Sequence, residues 1–349
     1  MQEYNINSSN EIKICPSQGV EMGGQQTTRV RDDRIDAVKY WLIVLVIAGH
    51  VFTRKGFVDS TSCVILGEWI YIFHMPLFIF LSGYFSRKKD LKDFWPSLWK
   101  IIEPLIIFHV IISLPKILHG DTNHLIKTIF TPWWVLWYLL SLIYWRLMLQ
   151  FIPSRVFRHT KIVLIGAFCL SLLSGFLPFD RFLSLQRTLA FMPFFFMGYY
   201  MRGKNLYLPG KYKTLCVLFL ILMFAIPMFF PQCLGNLRHA DPYGNIIDAV
   251  KRTCVFALSI PMSIAFLNVC YNTQWIAQQG RMTMQYYIFH ALIIPPLMIV
   301  VGKLDIPMTF ATATIITLGI VLGIGLVLKI PYVKMLTNPS LFLKSNTKE

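Results

Sequence analysis

Apolar stretches about one bilayer thick recur along nearly the whole chain, and each is closed by a short segment carrying Arg or Lys. A run of about 18 or more apolar residues satisfies the length rule for crossing a membrane. Backbone polar groups in lipid must be satisfied within the span, so such a chain folds as packed helices. Ten spans are expected, near 37–53, 64–85, 98–118, 133–152, 162–178, 183–201, 214–230, 250–270, 283–302 and 309–330. The sixth and eighth are the weakest, because Gln186, Arg187, Lys251 and Arg252 intrude at their starts. Over 349 residues, 55% are hydrophobic and 14% charged, too few charges to cover a soluble core of that size.

The reading is therefore an all-α, polytopic transmembrane helical bundle. Its net charge of +16 lies in the connecting segments, which fits topology and lipid headgroups better than nucleic acid. Segments with Arg29, Arg31 and Arg34, then Arg87, Lys88, Lys89 and Lys92, alternate with poorer ones holding Arg54, Lys55, Lys127, Arg181 and Arg238. This asymmetry places both termini in the cytosol, with an even number of spans. Residues 1–30 read as a disordered cytosolic tail, 31–333 as the transmembrane domain and 334–349 as a C-terminal tail. The seven cysteines are scattered, without the spacing of metal ligands, so no metal is expected. Walker, GxGxxG and GxSxG patterns are absent, which disfavours nucleotide hydrolysis, Rossmann redox chemistry and a serine hydrolase elbow.

Ionisable residues inside spans carry most of the functional signal. His50 closes the segment RIDAVKYWLIVLVIAGH. Lys39 lies about three helical turns before it and Asp36 another turn back, so all three fall near one helix face, with His50 ~16 Å deeper than Lys39. In this topology Asp36 and Lys39 sit at the cytosolic mouth and His50 beyond the midplane. A charged donor could enter at one end of such a line and a small group leave at the other. In IYIFHMPLFIFLSGYF, Tyr71 and His74 share a face and Pro76 follows. In QGRMTMQYYIFH, Tyr286 and Tyr287 precede His290, and Pro295 and Pro296 are expected to bend or stop that helix. His109, in IIFHVII, lacks polar neighbours in sequence and reads as structural. Glu103, beside Pro104, calls for a cation such as Lys100. The stretch WWVLWYLLSL has the composition of an interfacial aromatic belt.

The segments IDAVKYWLIVLVIAGH, FHMPLFIFLSGYF, WYLLSL, FMPFFFMGY and GRMTMQYYIFH, in this order, resemble the acyltransferase 3 family of membrane O-acyltransferases. The nearest branch holds fucose 4-O-acetylase-like and surface-polysaccharide O-acetyltransferases. The resemblance spans about Arg34 to Pro331. It maps the family's first-helix basic residue and histidine onto Lys39 and His50, with lysine where many members have arginine. Paired arginines common at the third span are represented by Lys100 alone, and Thr283 replaces a frequent serine.

The resemblance implies acetyl transfer from cytosolic acetyl-CoA to a sugar hydroxyl of a cell-envelope or exported polysaccharide, in a bacterial cytoplasmic membrane. His50 would act as general base or acetyl relay, Asp36 and Lys39 would orient the donor, and His74, Tyr287 and His290 would complete the site. Lys39, Arg87, Lys88, Lys89 and Lys100 would attract the donor's phosphates. The implied partners are a cell-surface glycan or lipid-linked sugar, membrane lipids, and a second copy of the chain or polysaccharide-assembly proteins. The alternative from another class is a proton-coupled secondary transporter using the same His, Asp and Lys. Such proteins often show two related halves, and none is apparent here. A sensor or assembly scaffold, the third class, would not need Asp36, Lys39 and His50 aligned.

Overall fold

In a computed structural model, residues 31–54, 60–118, 131–132, 134–177, 182–230, 241–330 and 333 are described. The predicted tails, 1–30 and 334–349, lie outside them. Among the described residues the chain is helical throughout, without strands. Its principal helices are α1 (Asp33–Phe52), α2 (Thr61–Tyr84), α3 (Leu91–Leu118), α4 (Trp137–Phe151), α5 (Thr160–Leu173) and α6 (Leu185–Tyr200). They continue with α7 (Lys213–Leu222), α8 (Ile246–Val269), α9 (Gln274–Gly280), α10 (Thr283–Lys303) and α11 (Phe310–Val327).

Every predicted span meets a helix, but among the described residues seven segments are long and apolar enough to cross a membrane. The shortfalls have local causes. Helix α4, with 15 residues, starts only at Trp137, because Trp134 takes a left-handed backbone with φ 33°. Likewise α6 starts at Leu185, after Leu183 (φ 48°) and Ser184 (φ 55°). At ~1.5 Å per residue these two helices fall short of a ~30 Å hydrocarbon layer. The third helix instead starts earlier than expected, taking in the polar turn from Leu91. Prolines interrupt less than expected, and α10 runs through Pro295 and Pro296 to Lys303. In α2, Pro76 cannot donate to the Ile72 carbonyl four residues back. Ser259 of α8 donates to that carbonyl instead, at 2.5 Å.

Burial separates a centre from a periphery. In α1, 72% of the apolar window is buried, against 17% in Gly210–Phe229. Helix α1 packs on α2, α9, α10 and α11, while α2 also meets α6 and α8. Lipid tails are as apolar as leucine, so helix association rests on close packing and interhelical hydrogen bonds. The α2–α6 crossing shows both parts of that rule. A Cβ at Gly83 would collide with the Phe195 carbonyl, and one at Gly198 with the Phe80 carbonyl. Beside it, Ser141 and Thr188 hydroxyls bond at 2.7 Å, the Trp145 indole donates to Thr188 O at 3.0 Å, and Ser171 donates to Ala190 O at 2.6 Å. The outer faces keep exposed Ile162, Leu218, Ile315 and Leu322, suited to lipid.

The charges that weakened the eighth span are absorbed locally. Asn245 and Asp248 form a capping box, and Lys251 lies 3.4 Å from the Asp248 carboxylate. Arg252, 2% exposed, donates to Ser171 O, Ser174 Oγ and Asp241 O, with its guanidinium over the Tyr243 ring. The expected partner of Glu103 is not found: its Oε2 is buried without a hydrogen bond, and no ion pair joins it to Lys100 among the described residues.

Candidate active site

His50, on the last turn of α1, is half-buried and stands at the meeting point of three other elements. Its Nδ1 lies 3.2 Å from the Tyr71 hydroxyl of α2. The His290 ring of α10 stacks against it, with centroids 5.5 Å apart and planes at 13°. The Trp134 indole, from the turn before α4, lies at 4.4 Å. Tyr71 in turn meets His74 edge-on at 5.0 Å, and His290 lies 5.7 Å from Tyr287.

Hydrogen bonding constrains the protons. Thr53 Oγ donates its single proton to Gly49 O at 2.7 Å. The Tyr71 hydroxyl and His50 Nδ1 can pair in either polarity, according to the tautomer of the imidazole. Where the Tyr71 oxygen accepts, His50 carries its proton on Nδ1 and Nε2 is the basic ring nitrogen. The neighbouring histidines are fixed by their partners. A carbonyl only accepts, so His290 Nδ1 donates to Tyr286 O at 3.1 Å and His74 Nδ1 donates to Ile70 O at 2.7 Å. His290 Nε2 is buried and makes no hydrogen bond among the described residues. His74 and His290 thus each hold a proton on Nδ1, which makes Nε2 the nitrogen able to accept one when the ring is neutral.

Tyr287 contributes differently from a substrate-facing hydroxyl. Its proton goes to Val135 O, which fixes the turn that carries Trp134. Arg187 donates to Trp134 O at 3.5 Å and lies over the Trp137 ring at 5.3 Å, while Arg54 approaches the Trp134 face at 5.6 Å. A tryptophan in the left-handed region is strained, and the bonds to its neighbours hold it there. Read from sequence, this aromatic stretch looked like a membrane belt; packing places one of its indoles on His50.

Asp36 and Lys39 sit at the other end of α1. Lys39 Nζ bonds Asp36 Oδ1 at 2.9 Å, and Arg281 approaches Asp36 Oδ2 at 3.5 Å while bonding Asp33 at 2.7 Å. The guanidinium of Arg281 is held above its usual pKa by the hydrogen bond to Asp33 first, and further by Asp36. Asp36 thus joins α1 to the segment between α9 and α10, where a Cβ at Gly280 would collide with the Asp36 carbonyl. The structure brings His50, His74, Tyr287 and His290 into one cluster and leaves Asp36 and Lys39 about three turns away.

Lys39 instead borders a basic region, with its ammonium 4.5 Å from the Phe85 ring centre. A cleft of about 710 Å³ follows, lined by Arg87, Lys88, Lys89, Asp90, Asp93 and Lys100 among others. Lys88 is engaged with Ile152 O at 2.6 Å and Ser154 Oγ at 3.1 Å. Lys89 bonds Ser97 at 2.7 Å, and its backbone is clamped by the Gln150 amide at both N–H and C=O. Burial, then the charges of Arg146, Arg87 and Lys100, hold the Lys89 ammonium below the usual lysine pKa. Among the described residues, no group of three or more His, Cys, Asp or Glu side chains is arranged for a metal.

Between the two regions runs a polar thread. Tyr138 bonds Ser82 at 2.7 Å and meets the Tyr287 ring at 5.5 Å, linking the basic end of the bundle to the histidine cluster. No curated protein and no solved structure matches the chain. The family model described as an acyltransferase domain matches residues 32–329. With this span of the match, the chain is a member of the acyltransferase 3 family.

Proposed function

We propose that this chain moves an acetyl group from acetyl-CoA, entering at the basic end of the bundle, to a sugar hydroxyl of an envelope or exported polysaccharide. The observation that carries the reading is the His50 imidazole held 3.2 Å from the Tyr71 hydroxyl and stacked on His290 beside Trp134, within an acyltransferase-family bundle. In direct transfer, Nε2 takes the acceptor's hydroxyl proton as that oxygen attacks the thioester carbonyl. The carbon–sulfur bond then breaks, and the thiolate leaves with the proton returned from the imidazolium. The same lone pair serves the relay route, in which Nε2 carries the acetyl group between donor and sugar.

Positive charge at Arg87, Lys89 and Lys100, with Lys39 one aromatic ring away, supports an anionic donor at that end. In the proposed topology both termini and this basic end face the cytosol of a bacterium, and the His50 end faces outward. The test is mass analysis of envelope glycans from cells with and without the protein. Loss of an acetyl mass from one glycan is the expected result, and glycans unchanged in mass would overturn the acceptor assignment.

A further inference from the structure

Arg146 lies in the middle of α4, in the apolar run YWRLML, and the histidine cluster has no need of it. Its guanidinium has five N–H donors. None of them makes a hydrogen bond or ion pair to a described residue, and Nε is buried. Leaving a largely buried cation without a partner is costly, so an unused guanidinium fork marks a place for an anion. The surroundings agree. Arg146 lines a small cavity with Arg87, Lys89 and Ser97, roofed by Phe85 and Phe94. Arg87, Lys89 and Ser97 also line the larger basic cleft, so the two spaces adjoin. Asp90 and Asp93 stand on the outer cleft but not on the inner cavity. Five positive charges in all (Arg87, Lys88, Lys89, Lys100 and Arg146) line the pair of spaces, and carboxylates are confined to the outer one.

We infer that the cavity at Arg146 is a phosphate-binding site, in which the Arg146 guanidinium grips a phosphate or pyrophosphate group and Lys89 and Arg87 complete the charge. Only arginine offers a planar fork that matches two phosphate oxygens at once. The group that fills the site is the phosphate of a soluble nucleotide donor, if the acetyl-CoA reading on which this rests holds, or that of an anionic lipid headgroup. Both present the same oxygens.

The experiment measures binding of inorganic pyrophosphate and of CoA to the full-length protein in neutral-lipid nanodiscs, for wild type, Arg146→Gln and Arg146→Lys. Native mass spectrometry of phosphatidylglycerol retained on the same proteins tests the lipid source. Wild type binding at least one of the three phosphate probes, a tenfold or greater loss in Arg146→Gln and partial recovery in Arg146→Lys are expected. Pyrophosphate or lipid bound through Arg146 without CoA would keep the site and sink the acetyl-CoA reading instead. Should Arg146→Gln fail to fold, Ser97→Glu places a carboxylate in the same cavity with Arg146 intact and is expected to weaken the same probe. Wild type binding none of the three, or folded Arg146→Gln and Ser97→Glu binding as wild type does, overturns the inference.

Discussion

Removing the Tyr71 hydroxyl tests how the protein sets the protonation of His50. In Tyr71→Phe the ring survives but His50 Nδ1 loses its hydroxyl partner, 3.2 Å away. A buried donor deprived of its partner costs ~1–3 kcal/mol. If that energy is the bias toward the tautomer protonated on Nδ1, its loss lowers kcat by roughly 5- to 150-fold, at 1.36 kcal/mol per decade. The assay is transfer of radiolabelled acetyl from acetyl-CoA by protein in proteoliposomes, with kcat and donor KM separated. Donor KM is expected to stay within about twofold, since the basic cleft is untouched. A folded Tyr71→Phe variant with kcat near wild type would refute the role of Tyr71 in setting the tautomer.

Further outcomes follow from other contacts. Gly83→Leu sets a side chain against the Phe195 carbonyl across the α2–α6 crossing, and it should abolish monodisperse protein on size exclusion, whereas Gly166→Leu, with open space around it, should not. Competitive labelling of lysines should find Lys89 reactive at lower pH than an ordinary lysine, because neighbouring cations depress its pKa. In Arg146→Gln one of those cations is gone, so the Lys89 labelling curve should move to higher pH; an unchanged curve would contradict their proximity. Arg281→Ala should lower thermal stability only slightly, since its bonds to Asp33 and Asp36 are exposed to solvent on the arginine side, and leave acetyl transfer nearly unchanged. A large loss of kcat there would show that Asp36 takes part in the chemistry.

Hydropathy alone carried the helical architecture, because apolar length and lipid leave few alternatives to packed helices. It failed at helix ends, where the left-handed residues Trp134, Leu183 and Ser184 shorten α4 and α6 in a way no apolar pattern records. His50 was legible as an ionisable group in a span, and so was the pairing of Tyr71 with His74 one turn on. Helical arithmetic also put Asp36 and Lys39 on its line, but it could not see Arg281 arriving from a distant segment to hold Asp36. Trp134 was hidden in a belt-like aromatic run, since composition says nothing about which indole turns inward. Arg146 did leave a signal, a lone cation inside an apolar helix, and only the empty space beside it in the fold gives that signal meaning.

The central claim is that His50 performs acyl transfer, and a single-turnover measurement reaches it most directly. Wild type and His50→Gln, inserted to equal levels in proteoliposomes, are mixed with radiolabelled acetyl-CoA and purified envelope glycan, and label on the glycan is followed with time. The account predicts rapid labelling by wild type and a loss of at least a thousandfold in His50→Gln, with CoA binding retained. Labelling by His50→Gln at the wild-type rate would contradict it.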